Sequence, residues 1–358
     1  MSELKAVVLC AGEGTRLRPL TFSKPKHLLP VAGVPLLGHV LRTLAEAGLR
    51  EAALIVGHHA EAVQQYVGDG DLWEMDVTYI TQQQPLGLAH AVGCARSFVG
   101  DDPFIVYLGD NLLEKGIGRF VDEFRSDGVQ ASLLLAEVED PRRYGVAELD
   151  QQGRVRRLIE KPPDPPTNLA IVGVYAFDVS IFEAIGNIRP SERGELEITD
   201  AIQYLVDRGR TVTARVVEGF WEDAGEPLAL LHANNLYLDR CQPEVYGSVG
   251  SECRLEGVLC VGTGTRITNS TVLGPCLIGR NCIIEGAAVG PYVSLGDGCV
   301  VQGSLLENCV IQHRCRISQV KGGLVRSVLG EDVQVIGGPS AAGPLHLILG
   351  DMAQIRMV

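Results

Sequence analysis

A glycine-rich turn with arginines close behind it is where this chain first shows chemistry. Gly12 and Gly14 follow the apolar run Lys5-Ala-Val-Val-Leu9. Glycines placed straight after a buried strand expose backbone N–H groups and leave no Cβ in the way of a phosphate. A purely structural turn would use the same glycines, so both readings stand at this point. Two familiar nucleotide loops are excluded. The third glycine position of G-x-G-x-x-G holds Leu17, and G-x-x-x-x-G-K-[ST] is absent.

Arg16 and Arg18 lie beside these glycines, and Lys24 and Lys26 follow in Ser23-Lys-Pro-Lys-His-Leu-Leu-Pro30. In a chain of formal net charge −13, that density of cations fits a polyphosphate better than a solvated face. The same negative charge, with no basic stripe, argues against nucleic acid as a partner.

Such groups need a scaffold. Lys5 to Leu9, Glu51 to Val56, Val77 to Ile80 and Phe104 to Leu108 read as short buried strands. Helical patterns over Pro35 to Ala47 and Gly87 to Phe98 fall between them, the first with Pro at its opening turn and Gly48 at its end. Alternation of this kind predicts an α/β fold, a Rossmann-like, mostly parallel sheet covered by helices on both faces. Ligands bind such sheets beyond the carboxyl ends of the strands.

Around Pro243 the pattern changes. Val249, Leu255, Val261, Ile267 and Leu273 are each six residues after the last, and Ile278-Gly279, Val289-Gly290 and Leu295-Gly296 continue the series after a slip. A period of six fits a β-solenoid, whose short flat sides each turn one aliphatic residue inward. Seven of the ten cysteines lie at or beyond Cys253, with no CxxC pair, and the six-residue spacings Cys276 to Cys282 and Cys309 to Cys315 suggest small buried repeat positions rather than a metal or disulfide site. Residues 1–242 are therefore read as one domain and 243–358 as a second, with Lys321 to Val358 as a cap or tail. An apolar fraction of 46% with 5% aromatics suits aliphatic cores. No stretch approaches the ~18 apolar residues of a membrane span and no leader opens the chain, so a cytoplasmic location without membrane contact is expected.

The run Leu9-Cys-Ala-Gly-Glu-Gly-Thr-Arg-Leu-Arg-Pro-Leu-Thr21 with Lys24-Pro-Lys-His-Leu-Leu-Pro30 resembles the signature of the sugar-1-phosphate nucleotidylyltransferases, and most closely that of the glucose-1-phosphate thymidylyltransferases. The resemblance continues through Gln82 with Gly87-Leu-Ala89, Leu108-Gly-Asp-Asn111, Arg143-Tyr-Gly145, Glu160-Lys-Pro162, Gly194 to Asp200 and Trp221-Glu-Asp223, in the family's order. Cys10 departs from the usual alanine. The repeat region resembles the hexapeptide-repeat, left-handed parallel β-helix.

The resemblance implies attack of a sugar 1-phosphate oxygen on the α-phosphorus of a nucleoside triphosphate, with release of pyrophosphate. An already ionised nucleophile needs no general base, so catalysis reduces to positioning and charge neutralisation. The resemblance also implies the roles. Arg16, Lys26 and Asp110 are the catalytic candidates; Leu9, Ala11, Gly12, Gly14, Thr15, Gln82 and Gly87 would meet the nucleotide, with Gln82 on the pyrimidine. Gly145, Glu160, Lys161 and Val172 would meet the hexose phosphate. Asp110 and Asp223 would hold Mg2+, which takes one or two carboxylates plus substrate phosphates. Lys24, outside the Lys-x-Leu-Leu-Pro match, is expected to be solvated. The implied substrates are dTTP, or UTP as an alternative, and glucose 1-phosphate, in a homo-oligomer. The rival expectation, an acyltransferase activity in the β-helix, would rest on His313 alone within the clear repeat. A structural or regulatory β-helix is expected instead.

Overall fold

The computed structural model describes residues 4–338 and 343–357. The chain forms two compact units, one of Met1–Glu13 with Leu37–Glu222, the other of Gly14–Leu36 with Asp223–Val358.

The first unit is built on a nine-stranded sheet. Strands Lys5–Cys10, Glu51–Val56, Asp76–Thr81 and Phe104–Leu108 pair in parallel, close to their expected spans. The sheet is mixed, because Leu169–Phe177 runs antiparallel to Phe104–Leu108 and carries Gly145–Leu149 and Ala131–Glu137 on its other flank. Side-chain alternation splits the strand Lys5–Cys10 between two cores. Ala6, Val8 and Cys10 bury into one, together with Leu37, Leu41 and Leu44 of the helix Leu36–Glu46. Val7 and Leu9 bury into the other, with Ala91, Val92 and Ile202. Both faces are covered, which is why these strands read as continuous apolar runs. The segment expected as one helix over Gly87 to Phe98 is two, Leu88–Cys94 and Arg96–Val99.

In the second unit, strands of two or three residues stack into three parallel sheets of seven, seven and five strands. This is the left-handed parallel β-helix of the expected fold class. Its buried aliphatics run Ile267, Val272, Ile278, Ile284, Val289, Leu295, Val301 and Leu306. The steps are six or five rather than a constant six, so a coil takes 17 residues at Cys276↔Val293 and Ile283↔Val300. Val272, not Leu273, turns inward, so the slip falls between Ile267 and Val272, one step of the repeat earlier than the hexads suggest. The segment beyond Lys321 is no loose tail: the coils continue through Leu324–Val325, Val328–Leu329, Gln334–Ile336, Ile348–Leu349 and Gln354–Arg356. Cys276, Cys282, Cys299, Cys309 and Cys315 are buried free thiols of the repeat. Burial pushes the Cys276 and Cys309 thiols up to about 11, where they are inert neutral fillers.

Segment 14–36 is fastened to this unit at several points. The Asn234 side-chain oxygen, on the helix Pro227–Leu238, accepts from the Ala32 amide at 3.0 Å and from Ser294 Oγ of the β-helix at 2.7 Å. A Cβ on Gly33 would stand 3.1 Å from Leu277 Cδ2, so only glycine allows that approach without repacking.

Candidate functional site

Parallel register aligns the strand ends of the first unit. Cys10 lies opposite Val56, Val56 opposite Thr81, and Leu9 opposite Leu108. Ala11, Gly57, Gln82 and Gly109 therefore emerge at one level, at the edge where such sheets bind ligands. The Gly109 amide donates to the Leu9 carbonyl at 3.1 Å and the Gln82 amide to that of Val56 at 2.8 Å. Gly57 permits close passage of the loop, since a Cβ there would sit 2.8 Å from the Ala11 carbonyl oxygen. Leu9 buries its side chain, Ala11 is half-buried and Gly12 is exposed. Leu9 can therefore meet a ligand only through its main chain.

Gln82 is buried, although its sequence Gln82-Gln83-Gln84 taken alone suggests an open polar loop. Its Nε2 donates to the Gly87 carbonyl at 3.3 Å and lies 2.9 Å from His90 Nδ1. The amide nitrogen is thus committed to protein acceptors and Oε1 is turned the other way. Gly87 holds φ +104°, and a Cβ there would come 2.6 Å from the Leu196 carbonyl oxygen, so this turn requires glycine. His90 carries no family motif, and its place one helical turn after Gly87 is the signal that could have identified it.

Asp110 follows the strand Phe104–Leu108 and is 4% exposed. Asn111 Nδ2 donates to its carboxylate at 3.3 Å, while Asn111 Oδ1 accepts from Trp221 Nε1 at 2.6 Å and from the Gly173 amide at 3.3 Å. Asn111 therefore joins three segments behind the carboxylate. In the sequence its adjacency to Asp110 is the one clue to this role. Among the described residues no cluster of three or more His, Cys, Asp or Glu forms a protein-only metal cage. A buried carboxylate such as Asp110 nevertheless fits a cation that takes its remaining oxygens from phosphates.

The hexose candidates come from a hairpin. Glu160 ends the strand Val155–Glu160 directly opposite Gly145, the first residue of Gly145–Leu149. Thr199 Oγ1 donates to Glu160 Oε2, and Arg193 Nη2 lies 3.2 Å from Oε1. A Cβ on Gly145 would stand 3.1 Å from Glu160 Oε2, so glycine keeps the carboxylate clear. Lys161 holds φ +42° and bonds its amide to the Tyr144 carbonyl at 3.0 Å, with Nζ 3.6 Å from Glu160. These three residues are together. Val172 is fully buried in the core, so its side chain cannot be the contact. Its strand leaves the Ala131–Glu137 ladder between Ile171 and Tyr175, so any role for Val172 falls to its main chain. A cavity of about 740 Å3 opens beside Glu160 and Lys161, walled also by Arg157, Arg193, Glu197 and Asp200. Burial raises the Asp200 carboxyl above its ordinary range, and the charges of Glu197 and Glu160 add to the shift.

The cationic loop belongs to the second unit. Gly14, at φ +65°, opens the turn Thr15–Leu17, and its carbonyl accepts from Leu17 N at 3.0 Å and Thr21 Oγ1 at 2.8 Å. A Cβ on Gly14 would meet Lys26 Cβ at 3.0 Å, so Gly14 and Lys26 are in close contact. Leu17, Leu20 and Leu29 are fully buried and anchor the loop, while Thr15 and Arg16 are exposed. Arg16 Nη1 lies 3.2 Å from Glu226 Oε1 and Nη2 lies 3.9 Å from Asp223 Oδ2. One expectation is overturned here. Lys24 is not solvated: its side chain is 13% exposed, with Nζ 2.6 Å from Glu331, 2.8 Å from Gln312 Oε1 and 3.3 Å from Asp351.

Residues 5–240 match the nucleotidyl transferase family. The chain belongs to that family. It is 43% identical over 356 residues to a glucose-1-phosphate thymidylyltransferase of Streptomyces antibioticus, covering 99% of each chain. It is 42% identical over 354 residues to the enzyme of that name in Streptomyces griseus, again covering 99% of each. A solved structure assigned as a glucose-1-phosphate thymidylyltransferase of Bacillus anthracis is 36% identical, covers 65% of this chain and 94% of its own, and superposes with a TM-score of 0.62. This nucleotidyltransferase therefore matches thymidylyltransferases through its β-helix as well as its sheet domain, which does not favour the uridylyl or bifunctional alternatives. His313 Nδ1 accepts the Asp297 amide at 2.9 Å within an exposed turn. Nucleotidyltransferases of this family use a nucleoside triphosphate, a sugar 1-phosphate and a divalent metal.

Proposed function

We propose that the chain transfers the thymidylyl group of dTTP to glucose 1-phosphate, giving dTDP-glucose and pyrophosphate. The observation that carries the base assignment is the fixed amide of Gln82. With Nε2 held by Gly87 and His90, Oε1 is left to accept from a base. Thymine and uracil present an imide N3–H there, whereas cytosine N3 is an acceptor and would face oxygen against lone pair. Uracil presents the same imide. Preference for thymine thus depends on its 5-methyl, worth ~1–3 kcal/mol in an apolar pocket.

The backbone at Leu9, Ala11 and Gly12 lies at the strand edge that would meet the nucleotide, and Gly87 holds the turn under Gln82. Gly14 and Thr15 open the phosphate loop, where N–H groups unhindered by side chains suit anionic oxygens. Glu160 accepts from sugar hydroxyls, Gly145 gives the ring close approach, Lys161 holds the 1-phosphate and the Val172 main chain completes the wall. The ionised 1-phosphate oxygen then attacks the α-phosphorus in line, and the bond to the pyrophosphate oxygen breaks. The Arg16 fork and the Lys26 ammonium neutralise the charge on the α-phosphate and the leaving group. Asp110 and Asp223 would hold Mg2+, which when bound would supply charge neutralisation of the triphosphate.

On this reading residues 1–242 carry the reaction and 243–358 support it. A cytoplasmic homo-oligomer completes the proposal; no helix among the described residues is long and apolar enough to cross a membrane. The test is release of pyrophosphate from dTTP by the purified chain with Mg2+ and glucose 1-phosphate.

A further inference from the structure

One corner of the β-helix has a regular composition that breaks at a single coil. The residues following its inward aliphatics are Gly262, Gly279, Gly296, Gln312, Gly330 and Gly350, in register on six successive coils. Gly262, Gly279, Gly296 and Gly330 lie against the next coil's backbone: a Cβ on Gly279 or Gly296 would meet main-chain atoms at 2.7 Å. Gln312 alone carries a side chain, and it is 3% exposed. Its Oε1 accepts from Lys24 Nζ. On the next two coils the residue after the corner glycine is acidic, Glu331 and then Asp351, and both reach the same ammonium.

Lys24 therefore spans three consecutive coils, two residues before Lys26 in the chain. Neighbouring contacts fix the same stretch. Ser23 Oγ donates to Asp351 Oδ2 at 2.6 Å, and Gly350 lies so close to the loop that a Cβ there would stand 2.9 Å from the Pro19 carbonyl oxygen. Arg314 holds the far side of Glu331 at 2.6 Å. Burial raises the Glu331 carboxyl and the Lys24 and Arg314 charges outweigh it, leaving the group below its ordinary range. A mostly buried ammonium with three acceptors is unlike a surface pair, because solvent neither competes for it nor screens it strongly.

We propose that the last three coils of the β-helix position the phosphate loop through Lys24, which acts as a positioning residue for Arg16 and Lys26 and not as a phosphate ligand. The inference rests on the nucleotidyl-transfer reading above and adds a task for the β-helix within it. Lys24 is tied down at the centre of a loop whose two working cations lie eight residues before it and two after. Releasing it lets both drift relative to the phosphates they must neutralise, and displacements near 1 Å cost on the order of a hundredfold in rate.

The experiment pairs kinetics with amide exchange on the full chain. Lys24→Met is expected to lower kcat by roughly ten- to a hundredfold, with the KM for glucose 1-phosphate little changed. Glu331→Gln, on the β-helix side, should move kcat in the same direction, and the double variant should be no worse than Lys24→Met alone, since both release one contact. Lys24→Arg, which keeps a donor for the carboxylates, should recover much of the loss. In Lys24→Met and Glu331→Gln the amides of Leu20, Phe22 and Leu28, bonded within the loop, should exchange faster than in the parent chain. A Lys24→Met enzyme that melts lower but keeps the parental kcat would overturn the proposal, as would unchanged exchange at those amides. A parent chain inactive with dTTP and glucose 1-phosphate, whose loop still exchanges faster on Lys24→Met, would remove the substrate reading and leave the β-helix as the element that holds the loop.

Discussion

Gln82 Nε2 lies 2.9 Å from His90 Nδ1, so a helix residue holds the nitrogen end of a buried amide. Gln82→Leu removes the acceptor and should lower kcat/KM for dTTP about tenfold, the cost of one hydrogen bond of ordinary strength. His90→Leu leaves only the Gly87 carbonyl to orient the amide, and the ratio of dTTP to CTP turnover should narrow. Steady-state kinetics with both nucleotides checks this, and an unchanged ratio would show that His90 does not set the reading of the base.

Glu160 is placed by Thr199 and Arg193 and kept clear by Gly145. Glu160→Gln should raise the KM for glucose 1-phosphate by roughly ten- to a hundredfold, the scale of hydrogen bonds to a charged group. The KM for dTTP should stay near its parental value. Equal effects on both substrates would place Glu160 outside the sugar subsite.

Asp110→Asn keeps the shape of a buried side chain and removes its charge. Turnover should fall to background while the melting temperature stays close to that of the parent. Chelation of divalent metal should abolish parental activity and added Mg2+ restore it; activity that survives in either case would contradict the metal assignment.

The Asp200 carboxyl has its pKa raised above the ordinary carboxyl value of 3.8, first by burial and then by the charges of Glu197 and Glu160. A raised carboxyl pKa means the folded chain binds this proton more tightly than the unfolded chain. The charged group therefore costs stability above its folded pKa, and that cost disappears as pH falls below 3.8. Asp200→Asn should melt higher than the parent at neutral pH, and the two melting temperatures should converge in acid. Thermal unfolding across pH measures it, and a gap that widens in acid would reverse the sign argued here.

Gly87→Ala forces a side chain into a left-handed turn against the Leu196 backbone. Strain of this kind costs about 1–3 kcal/mol, visible as a lower melting temperature together with weaker discrimination at Gln82.

The sequence carried the scaffold well where local rules decide it. The four parallel strands were legible because burial on both faces makes continuous apolar runs, as in Glu51–Val56. The β-helix was legible from aliphatic spacing, but the inward Val272 was not, since adjacent Val272 and Leu273 are equally apolar and only stacking chooses between them. Site residues in dense motifs, such as Gly14, Lys26, Asp110 and Glu160, are legible through family resemblance. The burial of Lys24 is not legible in the sequence for a physical reason. Its partners Gln312, Glu331 and Asp351 lie about 300 residues away, and nothing local distinguishes a lysine that will be buried by coils not yet formed. Val172 shows the converse, a position named as a contact whose side chain the core consumes.

Pyrophosphate release from dTTP, UTP, GTP and CTP in turn, with Mg2+ and glucose 1-phosphate, tests the central claim most directly. The account predicts turnover with dTTP, weaker turnover with UTP, and little with CTP. Turnover with CTP or GTP but not with dTTP would contradict it.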